Sequence, residues 1–290
     1  MAVKVLLDTD IGSDIDDAVC LAYLLAQPEC ELAGITTVTG DVVKRAQLAS
    51  ALCKAAGKNI PIYPGISRPL IVPSIQQEVP QAVALSNWEY QKEFPQYQAI
   101  EFMRRIIRQN PGEVVLLPIG PQTNIGVLFT IDPEIPALLK GLVIMGGVFN
   151  PQIAPTEWNI IGDPHAAAIV YKTPVKIHRS IGLDVTLKVT MPAVAVREKF
   201  SRNEILRVVL SFAEVWFRNA QTMVFHDPLA AVTVFDEQVC KFTRGNVNIE
   251  LKTGQEFGAS RWIEDVNGLN ETTFEVDVAR FFNDYFTVFK

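Results

Sequence analysis

The chain has 290 residues, 49% of them hydrophobic, with 26 lysines and arginines against 32 aspartates and glutamates, a formal net charge of −6. That length and apolar content exclude a disordered or fibrous chain and leave room for one large α/β domain or two small ones. The acidic balance excludes a general nucleic-acid binder, because no basic surplus exists to neutralise phosphates, and it favours small-molecule or cation chemistry.

The first apolar run, Val3-Lys4-Val5-Leu6-Leu7, is too short for a signal segment and reads as a buried strand. It runs into five carboxylates within ten residues: Asp8, Asp10, Asp14, Asp16 and Asp17. Like charges at that density repel unless a cation or a polyhydroxylated ligand offsets them. Gly12 permits a tight turn, and Asp16 or Asp17 can cap a helix over 18–26. Acids at the carboxyl end of a parallel strand, facing a helix start, stand where open α/β sheets bind ligands. A solvated acidic turn is the competing reading, and it fits poorly with acids that bracket a buried strand end. The donors are all hard oxygens, which favours calcium.

Strand and helix patterns then alternate. A strand over 31–38 leads through Thr39-Gly40-Asp41 to a helix over 42–56 that Gly57 closes. Pro61-Ile62-Tyr63 is a short strand. From 65 to 95 no period is evident, and a connection that long is usually functional or mobile. A helix over 99–109, a strand over 113–118 and a turn through 119–124 into a further helix follow. Next come a strand over 141–145 broken by Gly146-Gly147, a helix over 164–171 and a strand over 175–178. Beyond 186 the chain is more helical, with a hairpin-like pair around 247–262 and an amphipathic helix over 278–289. The alternation implies a mostly parallel sheet covered on both faces, in one domain spanning the chain. No run approaches the ~20 apolar residues of a bilayer-spanning helix. Cys20, Cys30, Cys53 and Cys240 have no CxxC spacing and read as buried, reduced thiols in a cytoplasmic protein.

Three later stretches carry chemistry. The turn after the strand at 118 exposes the Ile119 carbonyl, where side-chain identity does not matter; its bland reading is an ordinary βα turn with Thr123 as the helix cap. Glu157-Trp158-Asn159 offers an anionic acceptor and a mixed donor/acceptor, a pair suited to a polyol. Of the three histidines, His165 and His178 read as structural, and His226, beside Asp227-Pro228, is the one suited to proton transfer near neutral pH.

Taken together these blocks resemble the inosine–uridine-preferring nucleoside hydrolase family. Asp8-Thr9-Asp10-Ile11-Gly12 with Asp16-Asp17-Ala18 is similar to its N-terminal aspartate signature. Tyr63-Pro64-Gly65, Arg68-Pro69-Leu70, Leu117 through Ile125, Met145-Gly146-Gly147, Glu157 through Ile160 with Asp163-Pro164, and His226 through Ala230 are similar to later blocks, in order. The resemblance implies a Rossmann-like core with a more helical C-terminal part. It also implies hydrolysis of the N-glycosidic bond of ribonucleosides to free base and ribose by a calcium-activated water. Carried over by position, Asp10, Asp17, the Ile119 carbonyl and Asp227 would hold Ca2+, with Asp10 also the base. Asp16, Glu157 and Asn159 would bind ribose hydroxyls, and His226 would be the acid for the leaving base. The implied partners are a nucleoside and further copies of the chain, as a homodimer or homotetramer, with no nucleic acid and no membrane.

The chain also departs from the family pattern. Ser13-Asp14-Ile15 stand as an insertion, so Asp14 competes with Asp17 as the second metal aspartate. Asp41 takes the place of a common asparagine as a substrate contact. The 81–90 segment lacks a His-Gly pair and offers Trp88, whose indole can stack on a nucleobase or pack the loop onto the core. Trp262 reads as core. A modified nucleoside as substrate, or calcium-dependent nucleoside binding without turnover, are the alternatives. An aspartyl-phosphate phosphatase would leave Asp227 and Glu157 to Asn159 without a role.

Overall fold

The computed structural model describes residues 2–289. β1 (Val3–Thr9) is followed by α1 (Asp16–Ala26), β2 (Cys30–Thr37), α2 (Val42–Ala55) and β3 (Ile62–Pro64). After a long connection containing a 3-10 turn at Pro80–Asn87 come α3 (Ala99–Gln109), β4 (Val114–Pro118), α4 (Thr123–Ile131), α5 (Ile135–Leu138) and β5 (Gly141–Met145). Then follow α6 (Trp158–Gly162), α7 (Pro164–Lys172), β6 (His178–Ile181), α8 (Leu183–Thr186), β7 (Thr190–Pro192), α9 (Ala193–Phe200), α10 (Glu204–Trp216), β8 (Thr222–Val224) and α11 (His226–Thr233). The chain closes with β9 (Cys240–Ile249), β10 (Ser260–Glu264), β11 (Asn270–Val276) and α12 (Val278–Thr287).

One nine-stranded sheet runs in the order β10-β9-β11-β6-β5-β4-β1-β2-β3. It is parallel from β3 to β11, and β9 pairs antiparallel with both β11 and β10. The expected mostly parallel α/β architecture is therefore the observed one. After β1 the chain builds β2 and β3 to one side, then returns to place β4 on the other. The carboxyl ends of β1 and β4 thus flank the point where strand order reverses, the usual ligand position in such sheets.

Strand periodicity explains the two layers. Val5 and Leu7 pack into a core with α1, α2, α10 and α11, while Leu6 and Leu116 face a second core with α3, α4 and α7. Strands buried on both faces read as continuous apolar runs, as Val114 to Pro118 does. At the C-terminus, Phe281 and Tyr285 are fully buried and surround Phe225 with ring centroids 5.7 and 5.6 Å away. That aromatic cluster pins the residue immediately before His226.

Several boundaries differ from those the sequence suggests. α1 starts at Asp16, with Ile15 before it making no side-chain cap, so Asp16 and Asp17 occupy the first turn and turn their carboxylates to other work. Thr123 opens α4 without capping it; its hydroxyl donates to Asp163 Oδ2 at 2.8 Å. The strand expected over 175–178 begins at His178, because pairing with β5 starts at Leu142↔His178 and residues before it are the approach from α7. The hairpin-like pair around 247–262 is real, and it extends the main sheet.

Candidate active site

The acid-rich turn is held before any ligand is considered. Thr9 Oγ1 donates to Asp17 Oδ1 at 2.5 Å and accepts the Ile11 N–H at 3.1 Å, tying strand end, turn and helix together. Gly12 sits at φ +115, where its missing Cβ leaves room for Val79 and Leu48. Gly120, at the end of β4, matters for the same reason: a Cβ there would come within 2.6 Å of Asp10 Oδ1. Arg45 on α2 is fully buried, donating from Nε to the Thr39 carbonyl at 2.8 Å and from Nη1 to the carbonyls of Asp10 and Ile11. A guanidinium committed to backbone oxygens in this way fixes the shape of the turn.

These elements close around a cavity of about 460 Å³. Asp10, Asp14, Asp16, Asp17 and Asp227 line one wall, and the first helical turns of α1 and α11 bring Asp16, Asp17 and Asp227 to within 4.8 Å of one another. The Asp227 N–H donates to Asp16 Oδ2 at 3.2 Å. Asp14 and Asp10 lie outside that triplet. Asp14 Oδ1 instead accepts the Ile15 N–H, and Asp10 Oδ2 accepts Gln76 Nε2 at 2.8 Å.

Burial pushes all five carboxyls above their ordinary range, Asp14 to about 6 and Asp16, Asp17 and Asp227 well above it, and for those four repulsion from neighbouring acids adds to the effect. The Arg45 charge works against this for Asp10 and Asp17. One buried cation cannot balance this many acids. The buried Asp cluster, with carboxylate and carbonyl oxygens as donors, fits a hard metal cation.

The opposite wall is tied down by backbone. Glu157 caps α6, with Oε1 accepting from Asn159 N at 2.8 Å and Oε2 from Gly147 N at 3.0 Å and Ile160 N at 3.1 Å. Asn159 Nδ2 donates to the Ile119 carbonyl at 2.9 Å and the Met145 carbonyl at 3.2 Å. A carbonyl has two lone pairs, so the Ile119 oxygen keeps one to offer. His226 lines the cavity, with Nδ1 2.7 Å from Thr186 Oγ1. Burial pushes its imidazole down to about 4, so the ring is neutral at neutral pH and does not titrate there as its ordinary value suggests.

Asp10, Asp16, Asp17, Ile119, Glu157, Asn159, His226 and Asp227 therefore meet at one cavity, as does Asp14. Asp41 and Trp88 are not brought there. Asp41 caps α2 by accepting the Lys44 N–H at 3.0 Å and pairs with Lys44 Nζ at 2.9 Å. Trp88 packs against the core of the α10 face and donates from Nε1 to Ser211 Oγ at 2.7 Å. The cavity's less polar side is instead Met145, Trp158, Leu183 and Trp216, with Gln76 at its edge. Trp158 was signalled by its place between Glu157 and Asn159. Gln76, Leu183 and Trp216 had no sequence signal, because an irregular connection, the start of the short α8 and the far end of α10 bring them in.

The profile of the family described as inosine-uridine preferring nucleoside hydrolase matches residues 5–284. The inosine-uridine preferring nucleoside hydrolase of Crithidia fasciculata is 30% identical over 271 residues, covering 87% of this chain and 84% of that one. Uridine nucleosidase 1 of Arabidopsis thaliana is 28% identical over 294 residues, covering 92% and 84%. Among solved structures, a purine-preferring ribonucleoside hydrolase from Gardnerella vaginalis superposes with a TM-score of 0.85 over 99% of this chain and 98% of that one, at 24% identity.

Proposed function

Since the chain belongs to the inosine-uridine preferring nucleoside hydrolase family, we propose that it hydrolyses the N-glycosidic bond of ribonucleosides, releasing free base and ribose. The observation that carries this is the excess of buried carboxylates, with Asp16, Asp17 and Asp227 converging at the carboxyl ends of parallel strands beside a cavity of about 460 Å³. Cleaving such a bond develops positive charge on the sugar, and carboxylates fixed in a dry pocket stabilise that charge.

Asp10, Asp17, Asp227 and the Ile119 carbonyl are the residues to hold Ca2+. When bound, the ion supplies a water of lowered pKa and neutralises part of the acid charge. Asp10 takes the proton as water attacks the anomeric carbon. Asp16 is an acceptor for a ribose hydroxyl. Glu157, whose two oxygens are anchored by three backbone N–H groups, offers the remaining lone pair of Oε1 without moving. Asn159 spends its N–H2 on two carbonyls and leaves its amide oxygen to accept from the sugar. Holding the ring in this way lowers the barrier by orientation alone.

The base leaves poorly as an anion. A Thr186 hydroxyl donating to His226 Nδ1 places the proton of the neutral ring on Nε2, so His226 serves the departing base as a neutral donor. Base preference then falls to the Met145, Trp158, Leu183 and Trp216 side, with neither Asp41 nor Trp88 in reach. Assembly as a homodimer or homotetramer and a cytoplasmic setting belong to the same reading, the latter supported by four buried, unpaired cysteines. Among the described residues no helix is long and apolar enough to cross a membrane.

The test is release of reducing sugar from a panel of purine and pyrimidine ribonucleosides, before and after calcium chelation. Turnover that vanishes on chelation and returns with calcium is expected. A calcium-loaded protein that binds nucleosides and leaves every one intact would overturn the hydrolase reading in favour of binding.

A further inference from the structure

The long connection between β3 and α3 reaches the site through one short segment. Gln81 donates from its backbone N–H to the Gly12 carbonyl at 3.1 Å and from Nε2 to the Asp14 carbonyl at 2.7 Å. Ser13 Oγ donates to the Glu78 carbonyl at 3.3 Å. Those bonds hold the acid turn as a whole. Gln76 does something narrower: its Nε2 donates to Asp10 Oδ2 at 2.8 Å, and its Oε1 accepts the indole N–H of Trp158 at 2.5 Å. Among the described residues, it alone in that connection has a side chain hydrogen-bonded to a carboxylate of the acid wall.

Neither partner of Gln76 can exchange roles. An ionised carboxylate only accepts and an indole N–H only donates. One orientation of the amide therefore satisfies both, with the NH2 group toward Asp10 and the oxygen toward Trp158. The flipped amide would set oxygen against carboxylate and N–H against N–H, losing both bonds together. Asp10 Oδ1, meanwhile, lies against Gly120, where a Cβ would come within 2.6 Å. The carboxylate is thus held by a donor on one oxygen and by backbone on the other.

We propose that Gln76 is the positioning residue of Asp10, and that Trp158 acts on the reaction through Gln76 in addition to lining the cavity. This rests on Asp10 being the base and a metal ligand, as in the preceding subsection. Trp158 belongs to the segment that also supplies Glu157 and Asn159, so the bridge joins the sugar-binding wall to the acid wall through a loop that neither contains.

The test is a double-mutant cycle of Gln76→Ala and Trp158→Phe, read as kcat and KM on a ribonucleoside and as calcium affinity by calorimetry. Removing a partner that orients a ligating carboxylate typically costs 10–100-fold, so Gln76→Ala is expected to lower kcat about tenfold. Its KM stays within about twofold, the pattern of a lost transition-state interaction. Trp158→Phe keeps an aromatic side chain but loses the five-membered ring with its N–H, giving a smaller loss of the same kind. The double variant is expected to be no worse than Gln76→Ala alone, because residues acting in series do not add. Calcium affinity should fall in the same order and show the same non-additivity. Losses that multiply in the double variant, a loss confined to KM, or unchanged kcat and calcium affinity would each overturn the proposal. If the parent protein cleaves no ribonucleoside yet binds calcium, the hydrolase reading fails while the calorimetric cycle still decides the role of Gln76.

Discussion

The two walls of the cavity are built in opposite ways. On the acid wall Asp10, Asp16, Asp17 and Asp227 are each 5% exposed or less, delivered by strand ends and first helical turns. On the other side Trp158 is 54% exposed and bonded to Gln76 from an irregular connection, and Trp216 from the end of α10 lines the same cavity. A site whose acids are buried and fixed by strand ends and first helical turns, while the exposed Trp158 is held by Gln76 from an irregular connection, can keep one chemistry while its choice of leaving group changes. Each variant of a cavity residue below should act on one wall and spare the other.

The largest effect is expected at Asp10. Asp10→Ala removes a proposed base and metal ligand together. Loss of general-base assistance alone typically costs 10²–10⁴-fold, so kcat/KM should fall by about 10³-fold or more on every ribonucleoside. The loss should be uniform across bases, since Asp10 belongs to the wall that does not meet them. An active, metal-free Asp10→Ala protein would sink the mechanism. A loss that varies strongly with the base would break the division between walls.

That division also explains what the sequence disclosed. Five aspartates in ten residues at the end of an apolar run were legible because strand and helix fix where such side chains go. The same held for the Ile119 carbonyl at the end of β4 and for Asp227 at the start of α11. Trp88 looked equally promising, yet nothing local determines whether an aromatic just after a 3-10 turn faces a cavity or a helix. Here Ser211 on α10 decides the matter by accepting the indole N–H. Asp41 followed an analogy of position, whereas its carboxylate is consumed by the N-terminus of its own helix. Gln76 was invisible because a glutamine in an aperiodic loop has no pattern; only its two unlike partners mark it.

The next effect is expected at His226, which stands on the acid wall's helix and is the proposed donor to the leaving base. His226→Ala should cost about 10²-fold on ribonucleosides with poor leaving bases, within the usual range for one lost hydrogen-bond donor to a developing anion, and far less on an activated aryl riboside. Equal losses on both would mean that the base departs without its help.

Chelation sharpens the comparison from the stability side. The acid wall's carboxyls, and Asp8 at about 7, hold protons in the folded chain at pH values where an unfolded aspartate has released them. Their stabilisation is full below the ordinary aspartate range and is lost as pH rises through the folded values. His178 and His226, both pushed down to about 4 by burial, act in the opposite sense, but only below their ordinary value of 6.5. Between pH 6.5 and about 8 the acids therefore act alone, and the metal-free protein should melt at a falling temperature across that window. Calcium at about a hundredfold excess over its Kd should add about 2.7 kcal/mol and flatten the slope. A flat metal-free profile would mean that the acids already stand ionised without a cation.

The smallest effect belongs to a residue that lies on neither wall. Trp88→Phe keeps an aromatic side chain against the α10 core and removes the five-membered ring with its bond from Nε1 to Ser211 Oγ. The lost hydrogen bond contributes about 1 kcal/mol net and the lost ring volume adds to it, so the melting midpoint should drop while kcat, KM and the ranking of bases stay as they were. Trp88 sits instead beside Lys54, Glu89 and Arg207 in a surface hollow separate from the acidic cavity. Its place there follows from packing between α2 and α10, and catalysis should not register the change. A shift in base preference with unchanged stability would show the opposite, that the connection after β3 swings its tryptophan into the site when substrate binds, and the apolar wall would then have a member that the resting structure keeps elsewhere.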